Sequence, residues 1–328
     1  MNGRLLVFNC HEAWVNQLRF LKRPLDIVVD LPGRHTRGWD EAMRPVPSNA
    51  RLIPLSDVLA ARETYDCIIA HNLTDLLDVK MLPGPRLLVI HLTLDGIILE
   101  QKSQTDPKEF RRAVAHYVAQ TGTHVVAVSR LKGRSWGFTD DIVPLAVDPT
   151  DYLPWRGDLA AGLRVSNFLT RRAQTLLWDF HLQAFAALRV TLLGHNPELP
   201  GVSASRDWAD LKQVLSRHRF FIHTADPRLE DGYNTATLEA MAAGLPVLGN
   251  PNPSSPITHG ADGFLSDNPA MLTYYARMLL EDRGLAEKMG QAARRTVQQR
   301  FSPVTFVSAF ERSITAAQAK ELALFGLR

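Results

Sequence analysis

The stretch "PRLEDGYNTATLEAMAAGLPVLGN", Pro227–Asn250, decides how this chain reads. It opens on acids, turns through Gly232, Tyr233 and Asn234, and enters a helical pattern over 235–243. Ala243 and Gly244 end that pattern, and 246–249 reads as a short buried strand. A helix start carries free N–H groups and the positive end of the helix dipole. The amides of Thr235, Ala236 and Thr237 are therefore expected to hold an anion, and a phosphate fits there.

Two acids flank that position, Asp231 before it and Glu239 about one turn into the helix. A carboxylate is not wanted for the phosphate itself, because like charges repel. Carboxylates are good acceptors for sugar hydroxyls. Acids on both sides of a phosphate cradle point to a ligand with hydroxyls at both ends and phosphate between, a nucleotide sugar. The competing reading is local: Asp231 steadies the turn and Glu239 favours the helix dipole.

Working outward, short apolar runs alternate with helical patterns, which predicts βαβ units and parallel sheets. Strands are expected at 4–8, 26–30, 66–70, 86–90 and 124–128, then at 163–167, 189–194, 219–223 and 246–249. Helices are expected at 106–120, 174–187, 207–216, 269–298 (broken near Arg283 and Gly284) and 303–320. Asp106, Pro107 and Glu109 carry the capping signals of the first of these. Residues 141–162 are rich in Pro, Asp and Gly and read as an inter-domain linker. The expectation is an α/β chain with an N-terminal domain at 1–150, a second at 151–302, and a closing helical segment at 303–328 that packs back on the first. Open α/β sheets bind ligands beyond the C-terminal ends of their strands, so the main site is expected in the cleft between the two domains.

The bulk numbers narrow the function. The 328 residues are 45% hydrophobic, enough for two medium domains. The 37 basic and 34 acidic residues leave a net charge of +3, spread evenly along the chain. No basic face or run marks a nucleic-acid binder. No signal-peptide core or membrane-length apolar run stands out, and no basic amphipathic helix argues for more than peripheral membrane contact. Cys10 and Cys67 read as buried free thiols of a reducing compartment, so a cytoplasmic protein is expected. The P-loop, the dinucleotide fingerprint, the H-E-x-x-H and C-x-x-C patterns, the G-x-S-x-G elbow and a D-x-D pair are all missing. Metal chemistry is therefore not expected, and no cofactor beyond a nucleotide-sugar co-substrate.

From Asp231 to Val247 the chain resembles the retaining GT-B glycosyltransferases, the large family four of "group 1" enzymes. Their pattern is E-G-F-G-x-x-x-x-E-A-M-A-x-G-x-P-V; here Asp231 replaces the first Glu and Asn234 the second Gly. The resemblance extends to "VTLLGHNPELPG" (190–201), "HGADGFLSDNPAML" (259–272), the helices at 279–302, and residues 124–154. It implies two Rossmann-like domains facing a central cleft and sugar transfer from a UDP-, GDP- or ADP-linked donor. The acceptor is unidentified: a glycan, a glycolipid or a small molecule, in the manner of polysaccharide biosynthesis.

By position, the resemblance assigns Glu239 to the donor ribose and Asp231 to the donor sugar. The amides of Thr235, Ala236 and Thr237, beside Gly232 and Asn234, would hold the diphosphate. Arg172 takes the place of the family's Lys at the leaving diphosphate, Asn167 stands where the family has its Arg, and Arg171 offers a second charge. Gly194 lies in the glycine turn before the donor site. His91 would touch the donor sugar, and His71 the acceptor side. His11, or the backbone at Glu12 and Ala13, stands where the family has a glycine pair. Two rival readings are a GT-B epimerase or hydrolase that consumes donor alone, and a non-catalytic nucleotide-sugar binder.

Overall fold

The computed structural model describes residues 3–31, 33, 34 and 37–325; residues 326–328 of the expected closing segment lie outside them. The chain forms two compact units, Met1–Leu145 with Pro303–Arg328, and Ala146–Ser302.

The first unit holds a six-stranded sheet of β1 (Leu5–Phe8), β2 (Leu25–Val29), β3 (Ala50–Pro54), β4 (Cys67–Ala70), β5 (Arg86–Ile90) and β6 (His124–Ala127). Its order is β3-β2-β1-β4-β5-β6, and every pairing is parallel. Parallel strands need crossovers, and helices supply them on both faces. This is why β1, β2, β4 and β5 are buried at every position. The order reverses between β1 and β4, the switch point at which such sheets open a crevice.

The second unit holds β7 (Leu159–Val165), β8 (Val190–Leu193), β9 (His218–Ile222), β10 (Val247–Gly249) and β11 (Gly263–Leu265). Their order is β11-β10-β9-β7-β8, again all parallel, with the switch point between β7 and β9. Phe185, Phe220, Ile222, Leu248, Leu272 and Met289 pack the core on one side of this sheet.

Each expected strand is present within a few residues; β3 and β11 were not anticipated. The former is an edge strand whose side chains are half or fully exposed, so no apolar run marks it. The latter has only three residues. The stretch read as a linker, 141–162, already contains the start of β7. Its small residues serve packing there: a Cβ on Gly162 would come within 2.5 Å of the Phe220 ring. The helix expected over 174–187 spans only Trp178–Phe185, with Leu177 left-handed at φ 47°. The long pattern at 269–298 divides into Pro269–Glu281 and Arg283–Arg300, because Asp282 leaves the helix and caps the next one through the Leu285 amide. The helix Pro303–Phe325 belongs to the first unit, where Phe310 faces Trp14 and Glu311 pairs with Arg23.

Candidate functional site

The opening stretch stands at the switch point of the second sheet. The chain leaves β9 at Ile222, loops through 223–234 and enters the helix Thr235–Ala242. Buried polar groups hold this loop from behind. Asn250 exchanges two hydrogen bonds with the Ala225 backbone, and the Asp226 amide donates to the Thr175 carbonyl. Thr224 donates to the Leu176 carbonyl and accepts from Arg164. Arg164 lies inside β7, 2% exposed, and its second nitrogen also donates to the Leu176 carbonyl. Burial lowers its pKa to about 9.

The turn itself is built from side chains reaching across it. His223 Nε2 donates to the Asp231 carbonyl at 3.0 Å. Burial lowers the His223 pKa to about 4, so the ring is a neutral donor near pH 7. The Asp231 amide donates to Glu230 Oε1, and Glu230 Oε2 lies 3.4 Å from Arg172 Nη2. Glu230, one residue out of register with the family acid, thus joins the predicted diphosphate cation to the turn. The Gly232 amide donates to Ser254, and a Cβ on Gly232 would meet Asn252 and Ser255 at 2.8 Å. Glycine is required there so that the 252–255 loop can approach closely.

Asn234 caps the helix, accepting from the Thr237 amide and the Thr237 hydroxyl at 2.9 Å each. This differs from the expectation for Thr237. Its amide is engaged by the cap, while Thr235 and Ala236 supply the first-turn amides ahead of it. Asp231 is 1% exposed and Glu239 5%. Glu239 Oε1 accepts a hydrogen bond from the Tyr152 hydroxyl at 3.0 Å.

The residues after β7 face the same end of the sheet. Asn167 Oδ1 accepts from the His195 amide at 2.8 Å, so it braces the β8 turn. Gly194 sits in that turn at φ +133°, where a Cβ would lie 2.3 Å from the Ser166 carbonyl. Arg171 is exposed, paired with Glu198 and set over the Phe168 ring. In this arrangement Arg172 points its charge at the turn and Arg171 does not.

His91 belongs to the first unit, one residue beyond β5, and its Nε2 lies 2.9 Å from His71 Nδ1. Burial, then the charge of His71, holds His91 well below the ordinary histidine range; burial brings His71 to about 3. His11 follows β1 as an exposed residue at the N-cap of the short helix Glu12–Val15. Cys67 is buried, whereas Cys10 is half-buried.

Sequence reasoning missed Tyr152, Arg164, His223 and Ser254. A charge inside the apolar run of β7 was the one available signal, at Arg164.

Residues 171–311 match the family model described as glycosyl transferase-like. The chain has the GT-B fold. Among solved structures, this chain is similar to Anabaena Alr3699/HepE in complex with UDP and glucose, at TM-score 0.70 and 15% identity, over 96% of this chain and 100% of that one. Sucrose-phosphate synthase from Thermosynechococcus elongatus gives TM-score 0.67 at 15% identity, over 96% and 99%. A glycosyltransferase from Rickettsia africae gives 0.65 at 13%, over 96% and 98%. No curated protein matches the sequence. Among the described residues, no helix is long and apolar enough to cross a membrane.

Proposed function

We propose that this chain transfers a sugar from a nucleoside-diphosphate sugar to an acceptor with retention of configuration. The observation that carries this reading is the turn-helix at the second switch point, where the Thr235 and Ala236 amides lie between two buried acids, Asp231 and Glu239. The family-model match across 171–311 supports it, as does the fold shared with a HepE structure holding UDP and glucose.

In this reading Glu239, oriented by Tyr152, accepts from the ribose hydroxyls, and Asp231 accepts from the sugar. The helix start and Arg172 stabilise the leaving diphosphate, so charge developing on it meets fixed donors and no metal is required there. Arg172 exchanges Glu230 for phosphate when donor binds. The sugar passes through an oxocarbenium-like state. The acceptor attacks on the face the diphosphate leaves, and a phosphate oxygen takes its proton. His91 is assigned to the transferred sugar. The setting is cytoplasmic, with a glycan, glycolipid or small-molecule acceptor.

Thermal unfolding with UDP, GDP, ADP and dTDP tests the donor site, since a ligand that binds only the folded state raises its stability. At least one should raise the melting temperature, and Asp231→Ala and Glu239→Ala should each abolish that rise or the transfer. Normal turnover in both variants removes the assignment. One observation favours a non-catalytic binder instead: Asn167, at the family's Arg position, is committed to the His195 amide. That reading predicts donor binding without sugar transfer to any acceptor. A donor-only hydrolase or epimerase would give products from the nucleotide sugar alone.

A further inference from the structure

The crevice of the first sheet gathers three soft donors that the proposed transfer does not explain together. Cys10, His71 and His91 follow β1, β4 and β5, three neighbouring strands that include the switch point. Cys10 Sγ lies 4.0 Å from His91 Nε2, and His71 Nδ1 lies 2.9 Å from the same nitrogen. All three donor atoms fall within 4.8 Å of one another, and all three residues are half-buried, so an ion can reach them. Trp14 sets its ring edge-on to both imidazoles, at 4.8 and 5.0 Å between centroids, and so fixes their planes. The His71 main chain is held by Asp75, whose Oδ2 accepts from the His71 amide at 2.8 Å.

We propose that Cys10 Sγ, His71 Nδ1 and His91 Nε2 bind one divalent ion of the zinc class, with the fourth position open. One thiolate and two imidazoles form a donor set suited to zinc, and three protein ligands leave the coordination that open zinc sites use. Tetrahedral bonds of ordinary zinc length put two nitrogens about 3.3 Å apart and a sulfur and nitrogen about 3.6 Å apart. The two separations that include His91 differ from those by about 0.4 Å, and Cys10 lies within 4.8 Å of His71, so side-chain rotations would draw the sulfur in. A hydrogen-bonded histidine pair accounts for the 2.9 Å contact alone; it does not account for the thiol directed at the same nitrogen. Binding converts the Cys10 thiol to a metal thiolate and releases its proton to solvent. The inference shares His91 with the sugar-transfer reading but rests on none of the donor-site residues of the second unit, and it concerns binding only.

The test is titration of the chelator-treated full chain with Co²⁺, followed by absorption, and displacement by Zn²⁺. One ion per chain is expected, with a sulfur-to-cobalt charge-transfer band. Cys10→Ser should remove that band, and His71→Asn should keep it; each should weaken Zn²⁺ binding at least about tenfold. Circular dichroism of the metal-free variants shows whether they fold. The wild-type chain gives a second measurement free of that concern: Zn²⁺ should slow alkylation of Cys10 at least about tenfold when the ion saturates its ligand thiolate. Absence of stoichiometric uptake, wild-type affinity in Cys10→Ser, or unchanged alkylation of Cys10 overturns the proposal. Nucleotide-induced stabilisation is a separate readout, so failure here leaves the transfer reading standing.

Discussion

Glu239 and Tyr152 show what a single hydrogen bond does at the residue scale. The carboxylate is 5% exposed and the hydroxyl comes from a residue 7% exposed, so the pair is shielded from water. Tyr152→Phe is expected to cost about 1–3 kcal/mol, because a buried acceptor loses a donor. That should lower the melting temperature by several degrees in a unit of this size. An unchanged melting temperature would show that the hydroxyl does not hold the acid. Gly194→Ala should cost about 2 kcal/mol or more, since it combines a left-handed backbone with a Cβ 2.3 Å from the Ser166 carbonyl. Loss of nucleotide-induced stabilisation should accompany it if the β7 and β8 turns support the donor site. The two acids were legible in sequence because a turn, a cap and a helix start lie within nine residues of each other. Tyr152 was not legible, because it arrives from a stretch whose Pro and Asp content reads as a linker.

At the scale of elements, β2 carries a buried acid that ties its neighbours. Asp26 is fully buried and accepts from Arg4 of the chain before β1 and from Arg51 of β3. Burial alone would raise its pKa. The hydrogen bonds of Arg51 and Arg4, with their charges, outweigh that and hold it below its ordinary 3.8. A depressed carboxylate contributes stability that is complete above the unfolded value and is lost as pH falls through the lower folded one. Acid titration of unfolding should therefore show a loss beginning near pH 4, and Asp26→Asn should flatten that limb. An identical acid limb in the variant would exclude Asp26 as its source. The helix Thr235–Ala242 depends on its cap in a similar way, and Asn234→Ala should cost about 1 kcal/mol, read by chemical denaturation. Among the elements, strands buried on both faces were legible as apolar runs. The edge strand β3 and the three-residue β11 were not, because exposure and shortness erase the pattern that marks a strand.

Across the whole molecule, the first unit is assembled from two separated segments of chain. Phe306, Phe310, Ile314 and Ala317 of the last helix are buried, and Arg23 holds Glu311 with two hydrogen bonds. Phe310→Ala should cost the first unit about 3–5 kcal/mol. Calorimetry should show that loss in one transition, while stabilisation by nucleotide persists in the second unit. Loss of both together would mean that the units unfold as one. The GT-B architecture was legible because the family stretch and the double alternation agree, and the helical spacing at 303–320 announced the last helix.

The last helix also sets an order of events during synthesis. Residues 146–302 emerge from the ribosome before Pro303 does, so the second unit can begin to complete its core while the first still lacks a wall. Until residues up to about 317 emerge, the apolar surface that receives Phe306 and Phe310 stays open to water and to chaperones. A released chain truncated after residue 302 should accordingly bind nucleotide yet remain protease-sensitive in its first 145 residues.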